Sequence, residues 1–344
     1  MRAIQIVAER GVSVVDCAPP GPPGPDEVQV RIGAVALNHI DVWGWRGMAF
    51  IRRRLPIIAG AEAGGIITSV GSGVHDLRVG QVVSLYGALT CGNCPPCRAG
   101  RDNFCEASGT VGNIRGFHID GFAQEAINVP ARLAVPAPDG LDQVSASLVG
   151  ITFGTPEHML FDNARIQAGE AVLVHAGGSG IGSAAIQLAK AAGARVLTTV
   201  GSDDKIAKAR ALGADLVINY RQQSFERAAR SYTDKQGVDV VFEHVGPDTF
   251  PGSMAVLRRG GRLVTCGSTT GVASKISLFT LYQQQLRLIG SFGCTMANMR
   301  SVLNKLQRQV VQPVIDTMLP LDRLEDGVKR LESRQVFGKI VVAF

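Results

Sequence analysis

Ala171-Val-Leu-Val-His-Ala-Gly177-Gly-Ser-Gly-Ile-Gly182 is the stretch whose reading decides the fold. Four apolar residues read as a strand and the glycines as a tight turn. Ile181, Ala185, Ile186 and Ala189 then recur on one face of a helix that Gly193 stops. A bare glycine motif says little, but strand, turn and helix in this order describe a dinucleotide site. Small residues let the backbone reach a pyrophosphate, and the helix start offers N–H groups and the positive end of its dipole. With Gly177 and Gly182 as outer glycines, Ser179 replaces the middle one and adds a hydroxyl donor. Gly178, Gly180 and Ile181 complete the turn.

Downstream the alternation repeats. Strand Arg195–Val200 precedes helix 203–212, strand 216–219, helix 224–235, strand 238–242, helix 248–258 and strand 262–265. Such spacing builds a doubly wound parallel sheet of Rossmann type. Upstream, Val28–Ile32, Gly65–Val70 and Gln81–Leu85 are short strands bounded by glycine, and Gly338–Val342 is a strand with no helix after it that returns to them. The expected α/β architecture is a β-rich domain, residues 1–135 and 297–344, split by an inserted Rossmann domain, residues 136–296.

The chain's 344 residues, 46% apolar and 19% charged, suit two domains with substantial cores. Apolar runs fall short of the ~18 residues that cross a bilayer, and Met1–Arg10 has no apolar segment of a signal peptide. A cytoplasmic protein without membrane partners is expected. The net charge of +6 is dispersed, and its densest cluster, Arg52-Arg53-Arg54, lacks interleaved aromatics, so nucleic acid is not an expected partner. The 41 glycines exceed the usual ~7% and favour many tight connections.

Four of the seven cysteines cluster as Cys91-Gly-Asn-Cys94-Pro-Pro-Cys97 and Cys105. Two-residue gaps turn neighbouring thiolates onto one ion, and the fourth closes the tetrahedron of a structural Zn²⁺ in a lobe of about residues 91–105. An all-thiolate site leaves no open position for catalysis. Cys17, Cys266 and Cys294 read as small apolar residues.

The end of the second strand selects the cofactor. NAD sites place an acid there for the ribose 2′-OH. This chain has Gly201 and Ser202, with Lys205 a turn later, a set suited to the 2′-phosphate of NADPH. Asp203 and Asp204 read as acids of a helix first turn. Val245, Gly267, Ser268 and Phe292 follow strand ends, where the nicotinamide is expected.

Together the cysteine lobe, Gly60-Ala-Glu62-Ala-Gly-Gly65, Gly121-Phe-Ala-Gln-Glu125, the Gly177–Gly182 turn and Phe337-Gly-Lys-Ile-Val resemble the medium-chain dehydrogenase/reductase superfamily over essentially the whole chain. The resemblance implies a GroES-like β domain beside the Rossmann domain, a small-molecule substrate between them, and a homodimer or homotetramer. Zinc alcohol dehydrogenases of that family carry Cys-His-Ser/Thr-Asp, Gly-His-Glu and a Cys four residues before a Thr. Here the corresponding residues are Asn38-His-Ile-Asp41, Gly60-Ala-Glu62, and Ile151 before Thr155. An amide and two alkyl groups are not a Zn²⁺ site. Asn38-x-x-Asp41 and Gly60-x-Glu62 instead look like the quinone oxidoreductase branch, as does Tyr220, which there stacks near the adenosine. Thr155-Pro-Glu-His158 departs from that branch's Thr-Ala-x-His; Thr155 reads as a helix cap on the cofactor side, with Pro156 opening the helix.

The expected reaction is hydride transfer from NADPH to a quinone or an α,β-unsaturated carbonyl. Asn38 is expected to donate to the substrate oxygen or to satisfy local backbone groups, and Trp43 and Trp45 to wall the pocket or pack in the core. Glu62 reads as a cleft acid in a buried salt bridge or, as a catalytic residue, a general acid, and His39 as packed or touching the cofactor. The competing readings are a zinc dehydrogenase with His39 and Glu62 as unorthodox ligands, and a non-catalytic NADPH-binding protein.

Overall fold

Val28, Val30 and Ile32 are wholly buried while Arg31 between them is exposed, so the strand Glu27–Ala36 has one face in a core and becomes the spine of the β-rich unit. A computed structural model describes residues 1–48, 54–108 and 113–344. Arg52 and Arg53 lie outside the described residues, and Arg54 is exposed. Two compact units are present, Met1–Gly154 with Cys294–Phe344, and Thr155–Gly293.

In the first unit the strand order is Ile315–Pro320, Lys339–Ala343, Glu27–Ala36, Ala63–Val70, Val82–Leu85, Ala134–Pro136, with Ala126–Pro130 also paired to Glu27–Ala36. The last strand thus returns to the β-rich unit as expected, antiparallel to Glu27–Ala36 with Val342 opposite Val35. A second, three-stranded sheet of Arg2–Ala8, Gly11–Asp16 and Ile57–Ile58 shares the core through Ile4, Ile6, Ile57 and Phe122. Residues 136–154, expected with the dinucleotide unit, sit here instead. The helix Gln143–Ala146 packs directly on the sheet at Gly64, where a Cβ would come within 2.4 Å of the Gln143 carbonyl oxygen. No residue larger than glycine permits that approach.

The second unit is a six-stranded parallel sheet. Its order is Leu216–Asn219, Arg195–Val200, Ala171–Val174, Val238–Glu243, Leu257–Thr265, Arg287–Gly290. All four side chains of Ala171–Val174 are fully buried, as a central strand covered on both faces requires. The chain runs outward from Ala171–Val174 to one edge and then to the other, so the switch point lies between Ala171–Val174 and Val238–Glu243. In open α/β sheets ligands bind outside the carboxyl ends of the strands at such a point.

Thr155 is not a helix cap. Gly154–Glu157 continues directly from the π-helical Val149–Phe153 and runs into the π-helical His158–Asn163, so Thr155 and Pro156 lie inside a helical run. Wider i→i+5 turns, such as Phe153 N–H to Leu148 O at 3.1 Å, flank the proline that has no N–H to give. No helix among the described residues is long and apolar enough to cross a membrane.

Candidate functional sites in the two units

In the dinucleotide unit, every strand delivers predicted residues at its carboxyl end. Gly177–Gly182 follow Ala171–Val174, Gly201, Ser202 and Lys205 follow Arg195–Val200, and Tyr220 follows Leu216–Asn219. Val245 follows Val238–Glu243, Gly267 and Ser268 follow Leu257–Thr265, and Phe292 follows Arg287–Gly290. Thr155 alone among them follows no strand of this sheet; it lies in the helical turn Gly154–Glu157.

The glycine turn is shaped for close backbone approach. A Cβ on Gly177 would lie 2.3 Å from Thr198 Oγ1, and one on Gly182 would lie 2.3 Å from the Ala176 carbonyl oxygen. Ser179 is the N-cap of the helix Gly180–Ala191, its Oγ accepting from Gly182 N–H at 3.0 Å. Gly180 and Ile181 occupy the first turn, where N–H groups have no carbonyl one turn back to bond. This cradle fits a dinucleotide pyrophosphate.

At the adjacent strand end, a Cβ on Gly201 would lie 2.6 Å from the Tyr220 hydroxyl. Tyr220 itself is half-exposed. Asp204 lies in the first helical turn as expected. Asp203 departs from that reading: it makes no side-chain cap bond, and its carboxylate accepts from Asn219 Nδ2 at 2.7 Å and Gln222 Nε2 at 2.8 Å. These bonds hold its carboxyl below the usual range.

Beneath the turns lies a buried network that sequence spacing did not disclose. His175 Nδ1 pairs with Thr199 Oγ1 at 3.2 Å and Nε2 with Ser253 Oγ at 2.8 Å. Ser253 Oγ donates to Glu243 Oε2 at 2.9 Å, and Glu243 Oε1 accepts from Val245 N–H at 2.7 Å and Gly246 N–H at 3.1 Å. Thr199 Oγ1 accepts from Ala176 N–H at 3.0 Å. Thr199 and Glu243 therefore shape the turns that follow the strands Ala171–Val174 and Val238–Glu243. Burial pushes His175 down to about 4, so the ring is neutral. Burial opposes the Glu243 charge, yet the Val245 and Gly246 N–H groups and the Thr249 hydroxyl hold the carboxyl below its usual range.

In the β-rich unit, Asn38, Asp41, Glu62, Thr152 and Lys339 meet in a buried cluster. Glu62 Oε1 accepts from Ile151 N–H at 2.6 Å and Thr152 N–H at 2.7 Å, and Oε2 from Thr152 Oγ1 at 2.8 Å. Asn38 Nδ2 donates to Ala36 O and to Glu62 Oε2, both at 2.9 Å. Lys339 Nζ donates to Asn38 Oδ1 at 2.7 Å and reaches Glu62 Oε2 at 3.4 Å. Asp41 accepts from Asn38 N–H at 2.7 Å. Burial raises the Asp41 carboxyl to about 6, against the opposing pull of the Asn38 N–H and Lys339. Burial likewise pushes the Lys339 ammonium below its usual range.

This geometry corrects the expectation that Asn38 donates to substrate. Both amide hydrogens already point at protein oxygens, and the reading in which Asn38 satisfies local groups is the one observed. Glu62 is in the expected buried salt bridge, now with Lys339 as partner. Trp45 is core, donating to Glu325 Oε1 at 3.3 Å beneath Arg10. Trp43 is half-buried, its ring edge-on to that of half-buried His39.

The sulfurs of Cys91, Cys94, Cys97 and Cys105 lie within 4.8 Å of one another. Cys91 N–H points at Cys105 Sγ (3.2 Å) and Cys94 N–H at Cys91 Sγ (3.3 Å), so the loop aims backbone donors at its sulfurs. The donor set and spacing fit a tetrahedral Zn²⁺. Among the described residues no other group of three or more His, Cys, Asp or Glu is placed to hold a metal.

A β-rich unit with a cysteine lobe, joined to a dinucleotide unit split into its sequence, defines a two-domain dehydrogenase. Family models agree: "Alcohol dehydrogenase GroES-like domain" matches residues 24–139 and "Zinc-binding dehydrogenase" matches residues 180–308. The chain is 30% identical over 346 residues to the acryloyl-coenzyme A reductase of Sulfurisphaera tokodaii, covering 99% of each chain. It is 30% identical to the quinone oxidoreductase of Pseudomonas aeruginosa, covering 98% of this chain and 92% of that one. A crystal structure of an NAD-dependent alcohol dehydrogenase superposes with a TM-score of 0.93 at 36% identity over the full length of both. The chain belongs to the medium-chain dehydrogenase/reductase superfamily and is an NAD(P)H-dependent oxidoreductase.

Proposed function

We propose that this chain transfers hydride from NADPH to a quinone or to the activated C=C of an α,β-unsaturated carbonyl, with one structural Zn²⁺ in the Cys91, Cys94, Cys97 and Cys105 lobe and no catalytic metal. One observation carries the reading: where zinc relatives gather metal ligands, this chain has Asn38, Ala61 and Ile151, and a buried ammonium of its own, Lys339, is bonded into Asn38 and Glu62. The donor set there is an amide and a carboxylate already engaged by protein hydrogens, which suits a lysine and not a divalent ion. The acryloyl-coenzyme A and quinone-reducing relatives support the substrate class.

When bound, the nicotinamide supplies the hydride. The chain's own part is to hold and orient. The Gly177–Gly182 turn binds the pyrophosphate, Ser202, Lys205 and Tyr220 the adenosine end, and Val245, Gly267, Ser268, Phe292 and Thr155 bound the nicotinamide side. Trp43 walls the substrate pocket, over a floor that Asn38 and Glu62 keep rigid. Addition to a conjugated carbon spreads charge onto an oxygen that hydrogen-bond donors alone can stabilise, each contributing roughly 3 kcal/mol when preorganised. A simple alcohol or aldehyde lacks that delocalisation and needs the Lewis acid.

We further propose a homodimer or homotetramer, supported by exposed Leu278, Phe279 and Tyr282 on the dinucleotide unit. The deciding experiment is a turnover screen with NADPH and NADH against benzoquinones, enones, enoyl thioesters and aldehydes, with and without chelator. Chelator-resistant turnover of the conjugated acceptors is expected. Alcohol oxidation that chelator abolishes would sink the proposal, as would NADPH binding without turnover of any acceptor.

A further inference from the structure

Asp102 stands between two of the four lobe cysteines, Cys97 and Cys105, at the start of the short helical turn Asp102–Phe104. It is buried, while Arg101 and Phe104 beside it are exposed. Its Oδ2 accepts from Met296 N–H at 3.0 Å, 194 positions along the chain. Met296 opens the helix Met296–Gln307, whose Met299, Val302 and Leu303 are buried.

That helix begins just after the chain re-enters the β-rich unit at Cys294. The re-entry is held from several sides. The Tyr86 hydroxyl donates to Cys294 O at 2.6 Å, and Cys294 Sγ donates to Gly150 O at 3.0 Å. A Cβ on Gly154, the last residue before the chain leaves the unit, would come within 2.6 Å of Cys294 Sγ, so departure and return meet at one point. Phe292, two residues upstream, follows the strand Arg287–Gly290.

Helix capping alone does not call for Asp102. Thr295 and Asn298 already close a capping box, Thr295 Oγ1 accepting from Asn298 N–H at 3.1 Å and Asn298 Oδ1 from Thr295 N–H at 2.8 Å. The Met296 N–H falls outside that box. A carboxylate acceptor makes one of the stronger hydrogen bonds a backbone N–H can find, and at this end it also meets the positive pole of the helix. Zn²⁺ held by Cys97 and Cys105 would fix both ends of the segment that carries Asp102.

We propose that Asp102 is a positioning residue: it ties the metal lobe to residues 292–296, so that the lobe sets the nicotinamide half of the cofactor site while taking no part in hydride transfer. The inference rests on the placement of Phe292 at the nicotinamide side proposed above, and goes beyond it by giving the non-catalytic metal a part in cofactor binding.

The test is calorimetric binding of NADPH, and of 2′,5′-ADP, which lacks the nicotinamide half, to the full-length, zinc-loaded protein. NADH and 5′-AMP are run in parallel, so the comparison stands whichever dinucleotide binds better. Met296→Pro removes the N–H without touching the lobe: proline is tolerated at the first position of a helix, and Thr295 already has the extended backbone, φ −93° and ψ 162°, that a following proline demands. It weakens the dinucleotide by roughly fivefold and leaves the half-ligand and the zinc content unchanged. Met296→Ala, which keeps the N–H, and Asp102→Asn, which keeps an acceptor oxygen, bind as wild type does. Reciprocally, the dinucleotide strengthens zinc retention against a chelator by the same factor in wild type and not in Met296→Pro. Phe292→Ala checks the underlying placement and should weaken the dinucleotide alone. If it does so while Met296→Pro binds the dinucleotide as wild type does, or weakens both ligands equally, the inference falls and the placement stands. If Phe292→Ala changes neither ligand, the placement falls and the inference with it.

Discussion

Lys339 Nζ lies 2.7 Å from Asn38 Oδ1, tying the strand Lys339–Ala343 to the start of the helix His39–Arg46 across a buried cluster that also holds Glu62 and Asp41. A buried ammonium with carboxylates around it adds little net stability compared with an apolar filling, but removing one partner strands the others. Lys339→Met therefore destabilises the protein by about 3–5 kcal/mol, read as a fall in the urea midpoint at unchanged slope. A loss below about 1 kcal/mol would show that the cluster is not closed to water.

The same pair answers to a double-mutant cycle. Asn38→Ala leaves Lys339 and Glu62 each one bond short, and the two substitutions share that loss. Unfolding free energies of Asn38→Ala, Lys339→Met and the double variant should be non-additive by about 1–3 kcal/mol. Additive values would mean that the amide and the ammonium do not act together.

Metal content separates the two places where an ion could sit. Elemental analysis should find one zinc per chain, lost in Cys97→Ser together with thermal stability of the lobe. Binding of 2′,5′-ADP stays, since the cradle belongs to the other unit. Two zinc ions per chain would contradict the assignment of Asn38, Ala61 and Ile151 as non-ligands.

Gly201 gives room to the Tyr220 hydroxyl, which a Cβ would approach to 2.6 Å. Gly201→Asp both displaces the ring and installs an anion, and it should weaken 2′,5′-ADP by more than roughly tenfold while the fold survives, because an exposed tyrosine can swing aside. Gly201→Ala adds only the clash. If it weakens binding as much as Gly201→Asp, the charge is irrelevant at this position.

Acid should loosen the dinucleotide unit through His175. Its ring titrates near the ordinary histidine value when unfolded and near 4 when folded, so the unfolded chain takes the proton first. The stabilisation is complete above about pH 6.5 and disappears as pH falls from there toward 4, by about 3 kcal/mol in all. His244, also pushed down by burial, acts in the same direction. Urea midpoints of wild type and His175→Gln at several pH values test this: the variant should be flatter between pH 6.5 and 4.5.

What could be read from the sequence was whatever obeys local periodicity. The Ala171–Gly182 stretch, the cysteine spacing and the succession of strands and helices each follow from neighbours in the chain, and the residues expected at strand ends sit there. The hairpin of Arg2–Ala8 and Gly11–Asp16 is not legible, because much of the second strand is only partly buried and the third strand of its sheet, Ile57–Ile58, comes from far along the chain. That residues 136–154 belong with the β-rich unit is not legible, because the contact at Gly64 is between backbones and leaves no pattern in side-chain type. The partners of Asn38 and Asp203 are hidden for another reason, being side chains outside any local repeat. One pairs with a residue 301 positions away, and the other with the far end of the next strand's turn.

The strand Lys339–Ala343 has a bearing on how the protein comes into being. A ribosome delivers Thr155–Gly293 whole, and that unit holds all six strands of its own sheet. The β-rich unit waits, since its spine Glu27–Ala36 lacks a neighbour and its buried cluster lacks a cation until residue 339 has been made. During synthesis, then, the parallel sheet of the second unit is complete in sequence before the spine of the first has its last neighbour.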